Sequence, residues 1–250
     1  MHCEKLSMKY ILVIPARYES SRLPGKPLIN LVGVPMIVRT FQQCRKAVPA
    51  DKIYVATDDK RIQSVCIQNE IQVLITSPNC STGTDRVAEV ANLVDADTYL
   101  NIQGDEPVFN PNDLTELITF AEKYPDQILN GYCDIRDEEL FRCESNPKVV
   151  MRPDGRLLYM SRAPIPTNKN LEFVKSWRQV CAYAFPKEAI KTFSDTRNKS
   201  KLEEIEDIEI LRFLELGFEV RMIQMSDSSI SVDTPEDVFR VEQAIRKRGL

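Results

Sequence analysis

Residues 9–28 read KYILVIPARYESSRLPGKPL, and this stretch decides the class of fold. Its first part, Lys9–Pro15, is a continuous apolar run, which is typical of a parallel strand buried on both faces. The remainder, Ala16–Leu28, combines Arg, Lys and Ser with Gly and Pro, as a loop does. In open α/β sheets, ligands bind beyond the carboxyl ends of the strands. The stretch therefore predicts a buried strand followed by a binding loop.

Downstream of this strand, short apolar runs alternate with apolar residues at helical spacing. The runs predict strands at 52–57, 71–76 and 98–102, and the helical spacing predicts helices at 35–47, 59–69, 84–94 and 112–124. Such alternation predicts right-handed βαβ units and a mostly parallel sheet with helices on both faces, which is a Rossmann-like α/β fold. Three loops are then expected at its carboxyl edge: 16–28, 57–60 and 103–107.

The pattern changes after residue 127. Pro153-Asp154-Gly155 lies between apolar segments and predicts a hairpin turn, and 179–185 predicts a further strand. We interpret 128–186 as an inserted antiparallel lobe within a single domain, 1–250. The end of the chain returns to α/β, with predicted elements at 203–216 (helix), 218–225 (strand) and 235–247 (helix).

The composition excludes several classes of protein. The 250 residues carry a net charge of −4 with scattered basic residues, which does not indicate a nucleic-acid partner. No apolar run is long enough to span a membrane. The seven cysteines show no CxxC spacing, so we expect free thiols and a cytoplasmic protein. His2 is the only histidine, which excludes a histidine base and favours chemistry by carboxylates, Lys, Arg and a hard metal ion.

Basic and hydroxyl side chains concentrate in the loop after the first strand, where they are suited to phosphate. Arg17, Arg22 and Lys26 supply positive charge, and Ser20 and Ser21 supply small polar groups. A solvated basic loop is the alternative. Farther along, STGTDR (81–86) combines a flexible Gly with Arg86, which could reach a base or a phosphate, although the segment also fits a simple helix start.

Two acidic residues have the position expected of metal ligands. Asp105 stands in QGDEP at the end of a predicted strand, and Asp233 stands in SVDTPED just before the predicted N-cap Thr234. Mg²⁺ prefers oxygen ligands and needs one or two carboxylates beside substrate phosphates. Asp105 and Asp233 are therefore candidate Mg²⁺ ligands, whereas Glu106 is interpreted as a cap.

Six motifs stand in a characteristic order: PARYESSRLPGKPL (15–28), TDD (57–59), STGTDR (81–86), NIQGDEP (101–107), SRAPIP (161–166) and VDTPED (232–237). In order and spacing they resemble the 3-deoxy-D-manno-octulosonate cytidylyltransferases (CMP-Kdo synthetases), over nearly the whole chain. The resemblance implies a fold of the nucleotide-diphospho-sugar transferase type and a homodimer with the inserted lobe at the contact. It also implies that CTP and an acidic 3-deoxy sugar give a CMP-sugar and pyrophosphate with Mg²⁺, for lipopolysaccharide or a related glycan.

The resemblance guides the assignment of roles to individual residues. Catalysis is assigned to Lys26, Asp105 and Asp233, of which Asp105 and Asp233 hold Mg²⁺. Nucleotide binding is assigned to a second group, namely Ala16, Arg17, Ser20, Ser21, Lys26, Arg86 and Gln103. Sugar binding is assigned to a third group, namely Arg22, Gln103, Arg162, Gln179, Tyr183 and Glu209.

The chain departs from the family pattern in the expected sugar pocket. The family reads HxGxYxY where this chain has QVCAYAF, so Gln179, Cys181 and Phe185 replace His, Gly and Tyr. In the following helix Ile210 replaces Gln, while Glu209 is retained. Because a site built on hydrogen bonds rejects mismatched analogues, these changes indicate either a modified acceptor, such as an 8-amino sugar, or neutral drift.

Two other functions share parts of this pattern. A sugar-1-phosphate nucleotidylyltransferase has the same architecture, but its signature loop contains more glycine than 16–28. A nucleotide-sugar-dependent glycosyltransferase needs an Asp-Xaa-Asp motif after a strand, which Gln103–Glu106 does not match.

Overall fold

The computed structural model describes residues 8–19, 23–196 and 198–250. Its strands are β1 Tyr10–Ala16, β2 Asn30–Leu31, β3 Val34–Pro35, β4 Ile53–Thr57, β5 Val73–Ile75, β6 Thr98–Ile102, β7 Ile128–Ile135, β8 Lys148–Met151, β9 Leu157–Ser161, β10 Ser176–Pro186 and β11 Val220–Gln224. Its helices are α1 Met36–Cys44, α2 Lys60–Gln68, α3 Gly83–Ala91, α4 Pro111–Lys123, α5 Glu138–Arg142, α6 Lys187–Asp195, α7 Lys201–Glu206, α8 Ile210–Glu215 and α9 Pro235–Arg248.

The main sheet has the strand order β11-β7-β10-β6-β1-β4-β5. As predicted, β6, β1, β4 and β5 run parallel to one another. β10 runs antiparallel to its neighbours β6 and β7, and β11 pairs in parallel with β7. Because β6, β1, β4 and β5 are parallel, the loops that follow them leave the sheet at the same edge.

Helices cover both faces of the sheet, which confirms the predicted α/β architecture. Leu12 and Ile14 of β1 pack on one face in a buried cluster with residues of α1, α2 and α4. Ile11 and Val13 point to the other face, where they pack with residues of α3, α6 and α8. Because both faces of β1 are buried, its sequence shows no polar alternation.

The strands of segment 128–186 pair antiparallel with one another and are continuous with the main sheet. β7 and β10 are strands of that sheet, and β10 pairs with β6 near its end and with β8 near its start. β8 and β9 form the predicted hairpin, in which Gly155 has a φ of +86°, a conformation that suits glycine. By pairing with β6, β10 protects what would otherwise be an open edge of the parallel strands. The segment therefore extends the sheet and is not a separate layer.

The predicted helix 203–216 is in fact divided into α7 and α8. Asp207 between them has a φ of +51°, a left-handed conformation that ends a helix and that Asp tolerates better than most residues. Glu203 of α7 accepts two hydrogen bonds from Arg212 of α8, at 2.5 and 2.6 Å, and both side chains are buried. The helical spacing of apolar residues continues across the break, so sequence periodicity does not reveal it.

The last helix, α9, begins as predicted. Thr234 is its N-cap, its hydroxyl accepts a hydrogen bond from the Asp237 backbone, and Pro235 is the first helical residue. Among residues 8–19, 23–196 and 198–250, no helix combines the length and the apolar character needed to cross a bilayer.

Candidate active site

A cleft of about 450 Å³ opens at the carboxyl edge of the sheet, between the loops that follow β1, β5 and β6. Its volume lies within the range of small-molecule sites. The predicted site residues that line it are Ala16, Arg17, Lys26, Arg86, Gln103, Asp105, Glu209 and Asp233. Ser20, Ser21 and Arg22 lie outside the described residues.

The two candidate metal ligands lie close together, on either side of one lysine. The Lys26 ammonium donates to Asp105 Oδ2 at 2.5 Å and to Asp233 Oδ1 at 3.1 Å. The two aspartates are 128 positions apart in the sequence, yet both carboxylates face the same cleft. The condition on which the site prediction depended, that Asp105 and Asp233 lie on the same side of the molecule, is therefore met.

A backbone hydrogen bond explains why these carboxylates meet. The Val232 amide donates to the Asp105 carbonyl at 3.0 Å, which joins the loop before α9 to the loop after β6. The Val232 side chain is fully buried in a small apolar cluster with Met36 and Val108. This packing also holds the loop before α9 in place. The position of Asp233 thus depends on packing as well as on the start of α9.

Lys26 stays charged in this environment. Burial alone would lower its pKa, but the Asp105 and Asp233 carboxylates raise the pKa by more than burial lowers it. The residue begins a short 3₁₀ turn, and Gly25 before it has a φ of +69°, which allows the chain to turn into the cleft. Lys26 is therefore a fixed positive charge at the acidic end of the cleft.

Glu106 does not have the capping role that we expected. Its side chain is buried and accepts a hydrogen bond from the Ser229 hydroxyl, so it links the loop after β6 to the loop before α9. Burial, reinforced by the nearby Asp105 charge, raises the pKa of Glu106 to about 7. The sequence offered no signal for this contact, because Ser229 lies 123 positions away.

Arg86 lines the cleft but is held by protein groups. Its guanidinium donates to Asp58 at 2.9 Å and to the Thr76 hydroxyl at 2.6 Å. Asp58 belongs to the TDD motif, and Asp59 of the same motif is the N-cap of α2. The motif therefore orients Arg86 and starts a helix, and the loop 57–60 acts on the cleft through Arg86.

Gln103 and Glu209 line the cleft, and each lies beside a residue at the start of α3. A Cβ atom on Gly83 would lie 2.8 Å from Gln103 Nε2, so the absence of a side chain at Gly83 makes room for the Gln103 amide. Glu209 accepts hydrogen bonds from the Thr84 backbone, at 3.0 Å, and from the Thr84 hydroxyl. Burial raises the pKa of Glu209, although these hydrogen bonds oppose the rise.

Three predicted sugar-binding residues, Arg162, Gln179 and Tyr183, do not line the cleft. Arg162 donates to the backbone carbonyls of Glu144, Glu206 and Asp207, which joins β9 to α7. Gln179 donates to Asn130 at 2.9 Å, and also to the Tyr183 hydroxyl at 3.2 Å. These side chains are bonded within the protein, beside the cleft.

Lys199 is a cleft residue that the sequence analysis missed. It precedes α7, lines the cleft and donates to Asp207 at 2.6 Å. The hydrogen bond to Asp207 raises the pKa of Lys199. Its sequence neighbourhood, RNKSK, is typical of any exposed basic loop, so no local pattern identifies Lys199 as a site residue.

The carboxylates and cations that line the cleft suit a nucleoside triphosphate together with a hard divalent metal ion. Among the described residues there is no group of three or more His, Cys, Asp and Glu side chains arranged for a metal ion. The Asp105 and Asp233 carboxylates are hard oxygen donors, and Mg²⁺ sites of this type take further ligands from substrate phosphates and water. The cations Arg17, Lys26 and Lys199 line the same cleft and favour an anionic ligand.

Several known proteins are similar to this chain over most of its length. A family model described as cytidylyltransferase matches residues 11–223. A 3-deoxy-manno-octulosonate cytidylyltransferase of Acidobacterium capsulatum is 37% identical over 246 residues, covering 97% of this chain and 98% of the relative. An 8-amino-3,8-dideoxy-manno-octulosonate cytidylyltransferase of Shewanella oneidensis is 36% identical, covering 95% of this chain and 99% of the relative.

Two solved structures are also similar to this chain. A CMP:2-keto-3-deoxy-manno-octonic acid synthetase complexed with CTP superposes with a TM-score of 0.89 at 33% identity, covering 96% of this chain and 99% of its own. A glucose-1-phosphate thymidylyltransferase described as putative, from Bacillus anthracis, superposes with a TM-score of 0.67 at 15% identity, covering 95% of each chain, which shows a shared fold. The chain therefore belongs to the cytidylyltransferase family and is a nucleotidyltransferase.

Proposed function

We propose that this enzyme transfers CMP from CTP to a 3-deoxy-octulosonic acid, with Mg²⁺, and releases pyrophosphate. The observation that carries the proposal is the meeting of Asp105 and Asp233 around Lys26 in the cleft. The names of the two relatives support an acceptor of this class. The product would be an activated sugar for lipopolysaccharide or a related glycan.

In this reaction the anomeric 2-hydroxyl oxygen of the sugar forms a bond to the α-phosphorus of CTP. The bond from that phosphorus to the bridging oxygen breaks, pyrophosphate leaves with the electron pair, and the hydroxyl proton passes to solvent water. Such transfers depend on in-line positioning and on neutralisation of charge. When bound at Asp105 and Asp233, Mg²⁺ supplies charge neutralisation and Lewis acidity.

The side chains of this chain supply the remaining requirements. Lys26 and Arg17 offer positive charge to the triphosphate, and Lys26 is already fixed beside the two carboxylates. Arg86, held by Asp58 and Thr76, presents a rigid guanidinium to the nucleotide. Gln103 and Glu209 also line the cleft, where they are available to sugar hydroxyls.

The acceptor is proposed as a class, with the unmodified and 8-amino acids as its two candidates. The relatives that carry the two names are 37% and 36% identical to this chain, so overall similarity favours neither. Gln179 replaces the family's His, and its amide is engaged by Asn130 and Tyr183. A panel of 3-deoxy-ulosonic acids that includes the 8-amino analogue distinguishes these acceptors.

The proposal is tested by measuring pyrophosphate release with CTP, Mg²⁺ and the acceptor panel. Release should require all three components and should stop when EDTA removes the metal. Equal turnover with ATP or GTP, or turnover of hexose 1-phosphates in place of the acid, would contradict the proposal.

Asp105→Asn should lower kcat/KM by at least about 10³-fold, because it removes charge from the proposed metal site while preserving the shape of the side chain. Asp126→Asn, which changes an exposed carboxylate after α4, is the matched control and should keep full activity. Circular dichroism should show both variants folded. Full activity in Asp105→Asn would remove the role assigned to this carboxylate.

We also propose that the enzyme is a cytoplasmic homodimer with segment 128–186 at the contact. Leu158, Leu171 and Val174 of this segment are 56%, 66% and 72% exposed, and such apolar side chains are typical of a covered surface when they cluster. The cysteines among the described residues are unpaired, in keeping with a reducing compartment.

A further inference from the structure

The loop before α9, residues 225–234, lies along the segment 103–113 that follows β6. At the start of this loop, Ser226 is held by Asp113 of α4, whose side chain is buried. The Ser226 hydroxyl donates to Asp113 Oδ2 at 2.6 Å, and the Ser226 amide donates to Asp113 Oδ1 at 3.1 Å. These two hydrogen bonds attach the start of the loop to α4.

Farther along the loop, two consecutive residues of the other segment hold it. The Ser229 hydroxyl donates to the Glu106 carboxylate, and the Val232 amide donates to the Asp105 carbonyl at 3.0 Å. As the residue numbers rise along the loop, those of its partners fall from 113 to 106 and then to 105. The two segments therefore run antiparallel and are joined at several points.

The contact between Ser229 and Glu106 adds what the Val232 hydrogen bond cannot supply alone. A single hydrogen bond lets a loop pivot about it, whereas bonds at two points fix the direction of the loop. Asp105 directly precedes Glu106, and Asp233 directly follows Val232, so this direction sets the separation of the two aspartate carboxylates. Glu106 and Ser229 are both buried, so loss of the hydroxyl would leave a buried carboxylate short of a hydrogen bond.

The separation of the Asp105 and Asp233 carboxylates matters to a magnesium ion. Mg²⁺ demands near-octahedral geometry with oxygen ligands at about 2.0–2.1 Å, so it tolerates little displacement of a ligand. The two aspartates come from different loops and meet at Lys26. Replacing a group that orients metal ligands typically costs about 10–100-fold in metal affinity. The way in which the two loops are joined should therefore set the affinity for the metal.

We propose that Ser229 and Glu106 are positioning residues for the metal ion, because their contact fixes how the loop that carries Asp233 lies against the loop that carries Asp105. Neither Ser229 nor Glu106 lines the cleft, and both act through the two aspartates. This inference rests on the proposed function, because it takes Asp105 and Asp233 to be the ligands of Mg²⁺.

The experiment measures the Kd for Mn²⁺, which has the charge of Mg²⁺ and shares its preference for oxygen ligands. Mn²⁺ is titrated into the enzyme with saturating CTP and no acceptor, and free Mn²⁺ is measured by its electron paramagnetic resonance signal. A titration of CTP without enzyme gives the metal that the nucleotide holds by itself. Ser229→Ala should raise the Kd of the enzyme for Mn²⁺ about tenfold or more.

Turnover gives a second measurement of the same effect. In the presence of the acceptor, Ser229→Ala should raise the Mg²⁺ concentration for half-maximal pyrophosphate release about tenfold or more. At saturating Mg²⁺ its kcat should return to within about twofold of the unmodified enzyme, because both aspartates are still present.

Ser226→Ala is the matched control, because it removes the same kind of hydroxyl from the start of the same loop. Both alanine variants should lower Tm by about 2–4 °C, but Ser226→Ala should keep the Kd for Mn²⁺ within about twofold. Ser229→Cys keeps the size of the side chain and offers a weaker donor, so it should also raise the Kd, by about threefold or more. If Ser229→Ala does not fold, Ser229→Cys decides.

Three outcomes would overturn the inference. A folded Ser229→Ala variant that binds Mn²⁺ as tightly as the unmodified enzyme would do so and would leave the proposed function intact. An equal rise of the Kd in Ser226→Ala would show a general loosening of the loop in place of a specific role for Ser229. If the unmodified enzyme with CTP holds no more Mn²⁺ than CTP alone, Asp105 and Asp233 are not metal ligands, and the proposed function fails with the inference.

Discussion

At the scale of single residues, two glycines beside the cleft lack a side chain for different reasons. A Cβ on Gly104 would lie 2.7 Å from the Pro15 carbonyl, which is backbone and cannot move aside. A Cβ on Gly83 would lie 2.8 Å from the end of the Gln103 side chain, which can rotate away. Gly104 is therefore needed for the backbone packing of the fold, whereas Gly83 leaves room for the Gln103 side chain in the site.

Alanine substitutions should separate these two roles. Gly104→Ala should lower the free energy of unfolding by about 1–3 kcal/mol, as overpacking does. Gly83→Ala should leave stability unchanged or raise it by about 0.5–1 kcal/mol, since Ala favours the helix, but it should lower kcat/KM at least about tenfold by displacing Gln103. Urea denaturation and steady-state kinetics check both, and full turnover in Gly83→Ala would contradict the role of Gln103.

The kinds of side chain in the cleft could largely be predicted, because the charge and the hydrogen-bonding groups of a residue follow directly from its type. Lys26, Asp105 and Asp233 were predicted as site residues from their positions in loops and from the family resemblance, and the structure brings all three together. Glu106 and Lys199 were missed, since their partners Ser229 and Asp207 are set by tertiary contacts.

At the scale of elements, α7 is attached to its neighbours by two carboxylates with different environments. Glu203 is fully buried against Arg212, whereas Glu206 is partly exposed and accepts hydrogen bonds from the Ser161 hydroxyl, at 2.6 Å, and the Arg162 backbone, at 2.9 Å. The first contact holds α7 to α8, and the second holds α7 to β9. The two contacts should respond differently to substitution and to pH.

Arg212→Met should destabilise the protein by about 3–5 kcal/mol, because it leaves the Glu203 carboxylate buried without its counter-charge. Replacing both partners, in Arg212→Met with Glu203→Met, should recover most of that loss. Chemical denaturation of the two variants checks this. Equal stability loss in the single and double variants would show that packing, and not the unpaired charge, dominates.

Glu206 should contribute to the pH dependence of stability. Burial alone would raise its pKa, but the hydrogen bonds from Ser161, Arg162 and Tyr159 lower the pKa by more. A carboxyl whose folded pKa is lowered stabilises the fold above the ordinary carboxyl pKa, and this contribution is lost as the pH falls through the lowered value. Glu206→Gln should therefore lose about 1 kcal/mol at pH 7 and less at pH 3, where more of the carboxyl is protonated.

Urea midpoints at pH 7 and pH 3 measure this difference. Glu204→Gln changes an exposed carboxylate on the same helix and is the control, with no expected effect at either pH. A Glu206→Gln defect of the same size at both pH values would contradict the electrostatic explanation.

At the scale of the whole molecule, the proposed dimer contact can be tested by introducing charge into the exposed apolar surface. Leu158→Glu places a charge on β9, where the native side chain is 56% exposed, and should convert the dimer into a monomer with an intact fold. Phe239→Glu makes the same kind of change on α9, at a side chain that is 60% exposed, and should leave the dimer intact. Sedimentation velocity measures the mass of each variant, and an unmodified enzyme that sediments as a monomer would contradict the proposal.

The sequence by itself determined the parallel half of the sheet and the residue types of the cleft. Periodicity is a local property, so β1, β4, β6 and the helices between them could be identified from neighbouring residues. The carboxyl ends of parallel strands share one edge, so the loops 16–28 and 103–107 could be assigned to one site before their contacts were known.

Only the tertiary structure decided how distant segments meet. The Val232–Asp105 hydrogen bond, the Glu106–Ser229 contact and the hydrogen bonds from Asn130 to β10 each join residues far apart in the chain. Helix α8 and the pairing of β10 with β6 were likewise decided by packing, because helical spacing continues through Asp207 and strand patterns do not specify partners. Local patterns report what a segment prefers, whereas these contacts depend on the free energy of burying several segments together.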